Sequence, residues 1–352
     1  TGAAATSLSL CCSLRHRPHP APPHPMAGEP PDIPGPPFAA FPPPTAATSV
    51  VALLDGREMP LFGLGVYRSA PGAETENAVL WSLQAGYRLI DSASLYQNEA
   101  SVGAALQKSG VPRNEVFITT KLWDSDHGYE SAIDACSKSL KKLGTDYIDL
   151  YLIHSPNTGK LVETWDAFVE LQRRGLVRSI GVSNMDIPHI EALIQHHRPL
   201  PVVNQFEMHP MIWEEREALL NYCKSKGIIV QAYGSIFAGK PRCLSDQSLV
   251  RVGAECNKSV GQVLLRWGHQ MGFAIIPKSV QRHRIAENMD IFDFELTPKQ
   301  MAAIASIRGR LGSYWNPLEA GVHLGDTSRG HSVKAGDPMG AVASALGRCC
   351  KQ

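Results

Sequence analysis

Seven short apolar runs in this sequence each end in a side chain that can take part in acid–base chemistry or hydrogen bonding. The residues at these ends are Asp91, Lys121, His154, Ser183 with Asn184, Gln205, Tyr233 and Lys278. Taken singly, each has an ordinary role, such as a helix cap for Asp91, a solvated lysine for Lys121 or a core histidine for His154. Seven in succession are better explained by one site, provided that the fold brings the ends of the runs together.

The apolar runs recur in a regular rhythm, in which a helical stretch ends in glycine and the next run follows a few residues later. Glycine accepts the left-handed conformation that often ends a helix, and a short continuous apolar run indicates a strand buried on both faces. With residues 60–65 as the first strand, eight strand units are each followed by helical sequence. This alternation predicts an α/β fold, a TIM-type (β/α)8 barrel, whose active site lies at the carboxyl ends of its strands.

Ahead of the barrel, residues 50–54 and 58–61 flank Asp55-Gly56, which predicts a β-hairpin that plugs the barrel floor. The competing fold is a doubly wound nucleotide-binding sheet, which favours G-x-G-x-x-G after a strand. The nearest match, Gly63-Leu64-Gly65, continues with Val66-Tyr67-Arg68 and lacks the third glycine. The sequence therefore favours the barrel.

Several motifs in residues 50–310 together resemble the aldo-keto reductase family. They are D-x-A-x-x-Y at 91–96, I-T-T-K-L-W around Lys121, D-L-Y-L-I-H ending at His154, G-V-S-N at 181–184, N-Q at 204–205, H-P at 209–210, I-P-K-S at 276–279 and R-I-A-E-N at 284–288. The combination is far more specific than any one motif. The resemblance implies the barrel fold and an NADP-dependent oxidoreductase, with a catalytic tetrad of Asp91, Tyr96, Lys121 and His154.

The chemistry of carbonyl reduction agrees with these residue types. No side chain supplies a hydride, so a nicotinamide must supply it, and Tyr96 is the candidate proton donor. A phenol with a pKa of about 10 donates poorly near neutral pH, and we expect the ammonium of Lys121 to lower that pKa. Asp91 would hold Lys121 charged, and His154 would donate a hydrogen bond to the substrate carbonyl.

The resemblance also implies which residues hold NADPH. The nicotinamide amide would contact Ser183, Asn184 and Gln205, and its ring would stack on Tyr233. Lysine and arginine suit a 2′-phosphate, which implies NADPH rather than NADH. The full set of expected cofactor contacts is Gly65, Val66, Tyr67, Asp91, Ser183, Asn184, Gln205, Tyr233, Ser235, Lys278, Ser279, Arg284, Glu287 and Asn288.

Two positions depart from the family pattern. Ser155 follows His154 where many members carry a tryptophan that lines the substrate pocket, so we expect a wider or more polar pocket. Gly234 follows Tyr233 where many members carry a serine that contacts the cofactor pyrophosphate, and Ser235 or backbone amides would replace it. The expected substrate-binding residues are Tyr67, Tyr96, Trp123, His154 and Ser155.

The sequence leaves two other functions open. Some barrels of this family act as non-catalytic nucleotide-binding partner subunits, but such a protein would more readily have lost one of the four tetrad residues. A Schiff-base aldolase is the third reading, because Lys121 and Lys278 both end strands; the residues expected to bind phosphate around Lys278 argue against it. Within the reductase reading, dicarbonyls, aldoses, lipid aldehydes and keto acids stay open as substrates.

Composition limits the partners and the compartment. Lys and Arg number 34 against 33 Asp and Glu, a net charge of +1, so neither nucleic acid nor an anionic membrane is an expected partner. There is no C-x-x-C pair, so no metal is expected, and the four internal cysteines (Cys136, Cys223, Cys243 and Cys256) are predicted to be reduced and mostly buried. We expect a cytoplasmic monomer that acts on a small-molecule carbonyl substrate.

The two ends of the chain differ from its middle. Residues 1–49 hold 13 of the 26 prolines, which favours an extended, unpacked segment. An organellar location is the alternative, if residues 1–25 are a transit peptide. We therefore predict a barrel over residues 50–311, with an irregular C-terminal tail at 312–352.

Overall fold

Eight parallel strands pair in the order in which they occur along the chain. The computed structural model describes residues 46, 48–308 and 316. A two-stranded antiparallel hairpin, β1 (Val50–Ala52) and β2 (Glu58–Pro60), comes first. The eight parallel strands are β3 (Leu64–Gly65), β4 (Leu89–Asp91), β5 (Phe117–Leu122), β6 (Ile148–Ile153), β7 (Val177–Ser183), β8 (Val203–Glu207), β9 (Ile229–Tyr233) and β10 (Ala274–Ile275).

The sheet closes between its short first and last strands. Parallel bridges join Phe62 to Ile275 and Gly65 to Lys278, and the backbone N–H of Ile275 donates to the carbonyl of Leu61 at 2.9 Å. A Cβ at Gly65 would lie 2.8 Å from the carbonyl oxygen of Ile276, so glycine permits the approach that closes the sheet. The predicted (β/α)8 barrel and its N-terminal hairpin are confirmed.

Helices follow the strands and cover the outside of the sheet. They are α1 (Ala73–Gln84), α2 (Glu99–Ser109), α3 (Tyr129–Leu143), α4 (Leu161–Arg173), α5 (Ile187–Gln195), α6 (Glu217–Ser225), α7 (Pro241–Leu244), α8 (Gln247–Cys256), α9 (Val260–Gln270), α10 (Arg282–Met289) and α11 (Pro298–Ala305). Within the described residues, short 3-10 helices span Ser94–Tyr96, Arg113–Glu115, Asp124–Asp126 and Phe237–Gly239. Gly110 and Gly144 end α2 and α3 in the left-handed conformation that the sequence predicted.

Apolar side chains form two cores, one inside the barrel and one between strands and helices. Leu150 and Leu152 of β6 belong to the inner core, whereas Tyr151 between them packs outward against Phe168 of α4. This alternation is the two-residue period of a strand. Met59 of the hairpin is fully buried in the inner core, in agreement with a hairpin that plugs the barrel.

Several sequence predictions fall outside the described residues or concern features that the described residues lack. The alternative transit peptide at 1–25, nearly all of the proline-rich segment and, apart from residue 316, the tail at 312–352 lie outside them. Cys136 and Cys223 are buried, Cys243 and Cys256 are half-buried, and none of these four is in a disulfide bond. In the described ranges no helix is long and apolar enough to span a bilayer, and no group of three or more potential ligands is arranged to hold a metal.

His269 of α9 is a buried titratable group outside the set of strand-end residues. It is 1% exposed and packs against the rings of Phe62 and Phe292, at centroid distances of 5.9 and 5.6 Å. Burial among apolar rings lowers its pKa to about 3, because desolvation disfavours the imidazolium. The unfolded chain has an ordinary histidine pKa near 6.5. Between that pH and the folded pKa, His269 therefore binds a proton in the unfolded chain but not in the folded one.

This difference predicts that His269 makes the fold acid-sensitive. Below about pH 6.5, the histidine should reduce the free energy of unfolding by up to about 1.4 kcal/mol per pH unit, until the pH nears the folded pKa of about 3. His269→Leu should flatten this dependence. Urea unfolding of both proteins between pH 7.5 and 4 measures it, and parallel curves would contradict the assignment.

Candidate active site

The structure brings all seven predicted strand-end groups to one rim of the barrel. Asp91 and Lys121 lie in β4 and β5, His154 directly follows β6, Ser183 ends β7, and Asn184 follows it. Gln205 and Tyr233 lie in β8 and β9, and Lys278 follows β10. Because the strands are parallel and closed, their carboxyl ends form one ring.

A buried ion pair forms the centre of this rim. Lys121 Nζ donates to Asp91 Oδ1 at 2.6 Å and to the backbone carbonyl of Ser92 at 2.8 Å. It also lies 3.3 Å from the hydroxyl of Tyr96. The side chains of Lys121 and Asp91 are 0% and 3% exposed. The ammonium and the carboxylate are therefore in contact out of bulk water, and the half-buried phenol of Tyr96 lies within reach of the ammonium.

Tyr96 reaches this position from a short 3-10 turn after β4. Ser94 Oγ in the turn donates to the backbone carbonyl of Lys121 at 3.0 Å. Buried Asn98 donates from Nδ2 to the carbonyls of Val66 at 2.9 Å and Ser69 at 3.2 Å. These bonds fix the loop that presents the phenol, and the motif comparison had assigned Asn98 no such role.

Burial is the largest cause of the pKa shifts of Asp91, Lys121 and Tyr96. It raises the pKa of Asp91 and lowers that of Lys121, while the ion pair between them opposes both shifts. The pKa of Tyr96 lies well above its usual value, first because of burial and then because of the negative charge of Asp91 and the neighbouring phenols of Tyr67 and Tyr233. The pKa of Tyr96 therefore shifts in the direction opposite to the expected one, because desolvation and the negative charge of Asp91 disfavour the phenolate.

His154 stands beside the phenol and is neutral. Its ring meets that of Tyr96 edge-on at 5.7 Å and that of Trp123 edge-on at 5.1 Å. Burial, with the positive charge of Lys121 as a second cause, lowers the pKa of His154 well below 6.5. A neutral imidazole has one N–H donor. Tyr67 packs on Tyr96 at 4.9 Å and completes an aromatic wall.

Ser155, at the position where many family members carry a tryptophan, makes a buried hydrogen bond. Its side chain is fully buried, and its hydroxyl donates to the carboxylate of Asp124, which also accepts from Asn157 Nδ2 at 3.0 Å. The Ser155 hydroxyl is therefore enclosed by protein, and the wider or more polar pocket expected from the sequence stays a prediction. The bond also ties the loop after β5 to the loop after β6, because Asp124 directly follows Trp123.

The residues expected to hold a nicotinamide form one hydrogen-bonded set. Tyr233 donates from its hydroxyl to Asn184 Oδ1 at 2.8 Å, and Asn184 Nδ2 donates to the carbonyl of His154 at 2.9 Å. Ser183 Oγ donates to the carbonyl of Gln205 at 2.8 Å. Gln205 Nε2 in turn donates to Asp91 Oδ2 at 2.7 Å. The carboxylate of Asp91 therefore accepts both from Gln205, a predicted amide-binding residue, and from Lys121 of the tetrad.

The departure at Gly234 has a backbone cause. Gly234 has φ +68°, and a Cβ there would lie 3.0 Å from Cγ of Glu207. Serine at this position would be strained and crowded, so glycine suits this turn. Ser235, the expected substitute contact, is 5% exposed and donates to the carbonyl of Ala232 at 3.4 Å. Buried Glu207 was not among the residues expected from the sequence.

Basic residues lie beyond Tyr233, where β10 meets β3. Lys278 bridges to Gly65, and its ammonium is under the electrostatic influence of Glu74 and Arg68, while partial burial lowers its pKa. Arg284, Glu287 and Asn288 are three and four residues apart on α10, so they share one face of that helix. Arg284 is exposed, and Ser279 and Asn288 are 7% exposed. The predicted phosphate and adenine contacts therefore lie on the loop after β10 and on the helix that follows it.

The fold and this rim define a β/α-barrel oxidoreductase. The chain belongs to the aldo/keto reductase family, whose sequence model matches residues 62–308. The resemblance of the motifs is thus confirmed over the whole barrel.

Characterised relatives match at similar levels. The chain is 44% identical to the glyoxal reductase of Bacillus subtilis over 264 residues, which is 75% of this chain and 94% of that protein. It is 44% identical to the 9,11-endoperoxide prostaglandin H2 reductase of Trypanosoma cruzi over 255 residues, 72% of this chain and 89% of that protein. The crystal structure of the Bombyx mori aldo-keto reductase in complex with NADP matches with a TM-score of 0.69 and 39% identity, covering 74% of this chain and 92% of that one.

The buried position of Ser155 predicts that tryptophan cannot be accommodated there. Ser155→Trp should lower the free energy of unfolding by about 1–3 kcal/mol through overpacking, with a matching fall in Tm. Ser137→Trp, on the exposed surface of α3, is the matched control and should change stability by less than about 0.5 kcal/mol. A wild-type Tm for Ser155→Trp would restore the open pocket that the sequence suggested.

Proposed function

We propose that this protein reduces the carbonyl group of aldehydes or ketones to an alcohol, with NADPH as the hydride source and Tyr96 as the proton donor. The observation that carries the proposal is the contact of the Tyr96 hydroxyl with Lys121 Nζ at 3.3 Å, above an ion pair of 2.6 Å between Lys121 and Asp91. A non-catalytic partner subunit has no need of this arrangement.

Tyr96 is held ready as an acid. Its raised pKa keeps the phenol protonated at neutral pH, so the proton is present when the substrate oxygen becomes negatively charged. As the proton leaves, the phenolate forms beside the ammonium of Lys121, and this developing charge pair stabilises the transition state more than the ground state. Asp91 keeps the ammonium in place.

His154 serves to orient the substrate. It is neutral, so it donates one hydrogen bond to the carbonyl oxygen and does not compete with Tyr96 as an acid. Trp123 and Tyr67 bound the space beside it with aromatic faces. The half-buried carboxylate of Asp124, which accepts from Ser155 and Asn157, makes one edge of this region polar, which favours small oxygenated carbonyls. A dicarbonyl such as glyoxal or methylglyoxal is the first substrate to test, a choice that the similarity to a glyoxal reductase also supports.

The donor set at the rim suits NADPH. When bound, the nicotinamide supplies the hydride that no side chain can supply. Ser183, Asn184 and Gln205 offer hydrogen bonds to its carboxamide, and Tyr233 offers an aromatic face. Lys278, Ser279 and Arg284 would hold the 2′-phosphate. The NADP complex of the Bombyx mori relative supports the choice of cofactor.

Tyr96→Phe tests the proton donor. The variant should lower the reduction rate with methylglyoxal by roughly 10²–10⁴-fold, measured as the loss of NADPH absorbance, while NADPH still binds. Tyr151→Phe is the matched control, because the Tyr151 hydroxyl is buried on the outer face of β6 and has no hydrogen-bond partner among the described residues. Near wild-type turnover in Tyr96→Phe would rule out the proposed role.

Arg284→Ala tests the choice between cofactors. A charge-assisted hydrogen bond contributes roughly 1.5–3 kcal/mol, so the variant should bind NADPH about tenfold or more weakly, while its affinity for NADH stays nearly unchanged. Arg282→Ala, on the same helix but another face, should affect both cofactors little. Isothermal titration with the two dinucleotides gives the comparison, and an equal loss for both would mean that Arg284 supports the fold rather than the phosphate.

A further inference from the structure

A chain of buried polar groups runs from the hairpin to the catalytic carboxylate. Gln231 of β9 is fully buried, and its Oε1 accepts from Gln205 Nε2 at 2.6 Å. Gln205 Nε2 also donates to Asp91 Oδ2 at 2.7 Å, and Asp91 Oδ1 accepts from Lys121. At the other end, Gln231 Nε2 lies 3.9 Å from Sδ of Met59. The motif comparison assigned Gln231 no role.

The carboxylate of Asp91 fixes which group donates and which accepts in each of these hydrogen bonds. Ionised Asp91 only accepts hydrogen bonds, so Gln205 must turn its nitrogen toward it. The second proton of that nitrogen needs an acceptor, and Gln231 supplies one. Both protons of Gln205 Nε2 are then used, and no described residue donates to its Oε1. Gln205 thus offers the rim an acceptor and not a donor.

Packing alone does not require an amide at position 231. The neighbouring inner layer is apolar, with Leu150, Leu152 and Val203 in the same core as Met59. A buried amide is costly unless it is hydrogen-bonded, and the thioether of Met59 is a weak acceptor. The strong partner of Gln231 is therefore Gln205, at 2.6 Å.

We propose that Gln231 is a positioning residue that fixes Gln205 as a hydrogen-bond acceptor for the NH2 group of the nicotinamide carboxamide. The inference rests on the proposed function for the identity of the cofactor, and it adds a residue that does not touch the cofactor. Without Gln231, the second N–H of Gln205 is released. It can then turn toward the rim and donate to the carbonyl oxygen of the carboxamide instead.

The test compares the binding of NADP⁺ with that of its 3-acetylpyridine analogue, which keeps the carbonyl but replaces the NH2 group by methyl. The wild-type protein should prefer NADP⁺ by roughly 2- to 12-fold, the range for one neutral hydrogen bond. In Gln231→Leu this preference should fall toward 1. An N–H of Gln205 that points to the rim can donate to the carbonyl oxygen that both dinucleotides carry. Isothermal titration measures both affinities without turnover.

Two further variants separate orientation from folding. Gln231→Glu keeps an acceptor oxygen, ionised or protonated, and should retain the preference for NADP⁺. Thr119→Val is the matched control, because Thr119 is a fully buried polar residue of β5 whose hydroxyl has no hydrogen-bond partner among the described residues; it should also retain the preference. In a Gln205→Ala background, Gln231→Leu should cause no further change.

The outcomes are distinct for the two proposals. If folded Gln231→Leu keeps the wild-type preference for NADP⁺ over the analogue, the role of Gln231 is overturned. If the leucine variant does not fold, Gln231→Met takes its place in this comparison. The role is also overturned if the wild-type protein shows no preference. A protein that shows the expected binding ratios but reduces no carbonyl contradicts the proposed function and supports the inference. A wild-type protein that binds neither dinucleotide contradicts both.

Discussion

The buried ion pair between Asp91 and Lys121 is the interaction on which the rest of the rim depends. Removing one partner of such a pair typically costs about 3–5 kcal/mol, because the other charge stays buried without compensation. Here the pair is compensated on both sides, since Lys121 also donates to the carbonyl of Ser92 and Asp91 also accepts from Gln205. The barrel supplies these partners from three strands, and no single βα unit contains them.

The position of this pair has consequences for protonation. Desolvation raises the pKa of Tyr96 and lowers that of His154, so one ring keeps its proton and the other stays neutral. In the proposed mechanism, an acid and a hydrogen-bond donor therefore stand side by side without exchanging roles. The same burial that makes the ion pair costly thus separates the tasks of its two neighbours.

Barrel closure links the rim of strand-end groups to the predicted phosphate site. The strand β3 is two residues long, and Gly65 in it pairs with Asp91 on one side and bridges to Lys278 on the other. A side chain at Gly65 would collide with the carbonyl of Ile276. The close approach of these backbones sets the distance between the tetrad and the basic residues after β10, which a dinucleotide would have to span.

The sequence by itself determined the barrel, the hairpin and the ring of strand-end groups, because strand alternation, glycine caps and contiguous motifs are local signals. It also contained a signal for Gln231, a polar residue in an apolar strand, two positions before Tyr233 and so on the same face. Only the tertiary structure decided that Gln231 meets Gln205, that Ser155 is buried against Asp124, and that the pKa of Tyr96 is raised rather than lowered. These features depend on desolvation and on contacts between residues far apart in the chain, such as Gln205 and Asp91, which are 114 positions apart.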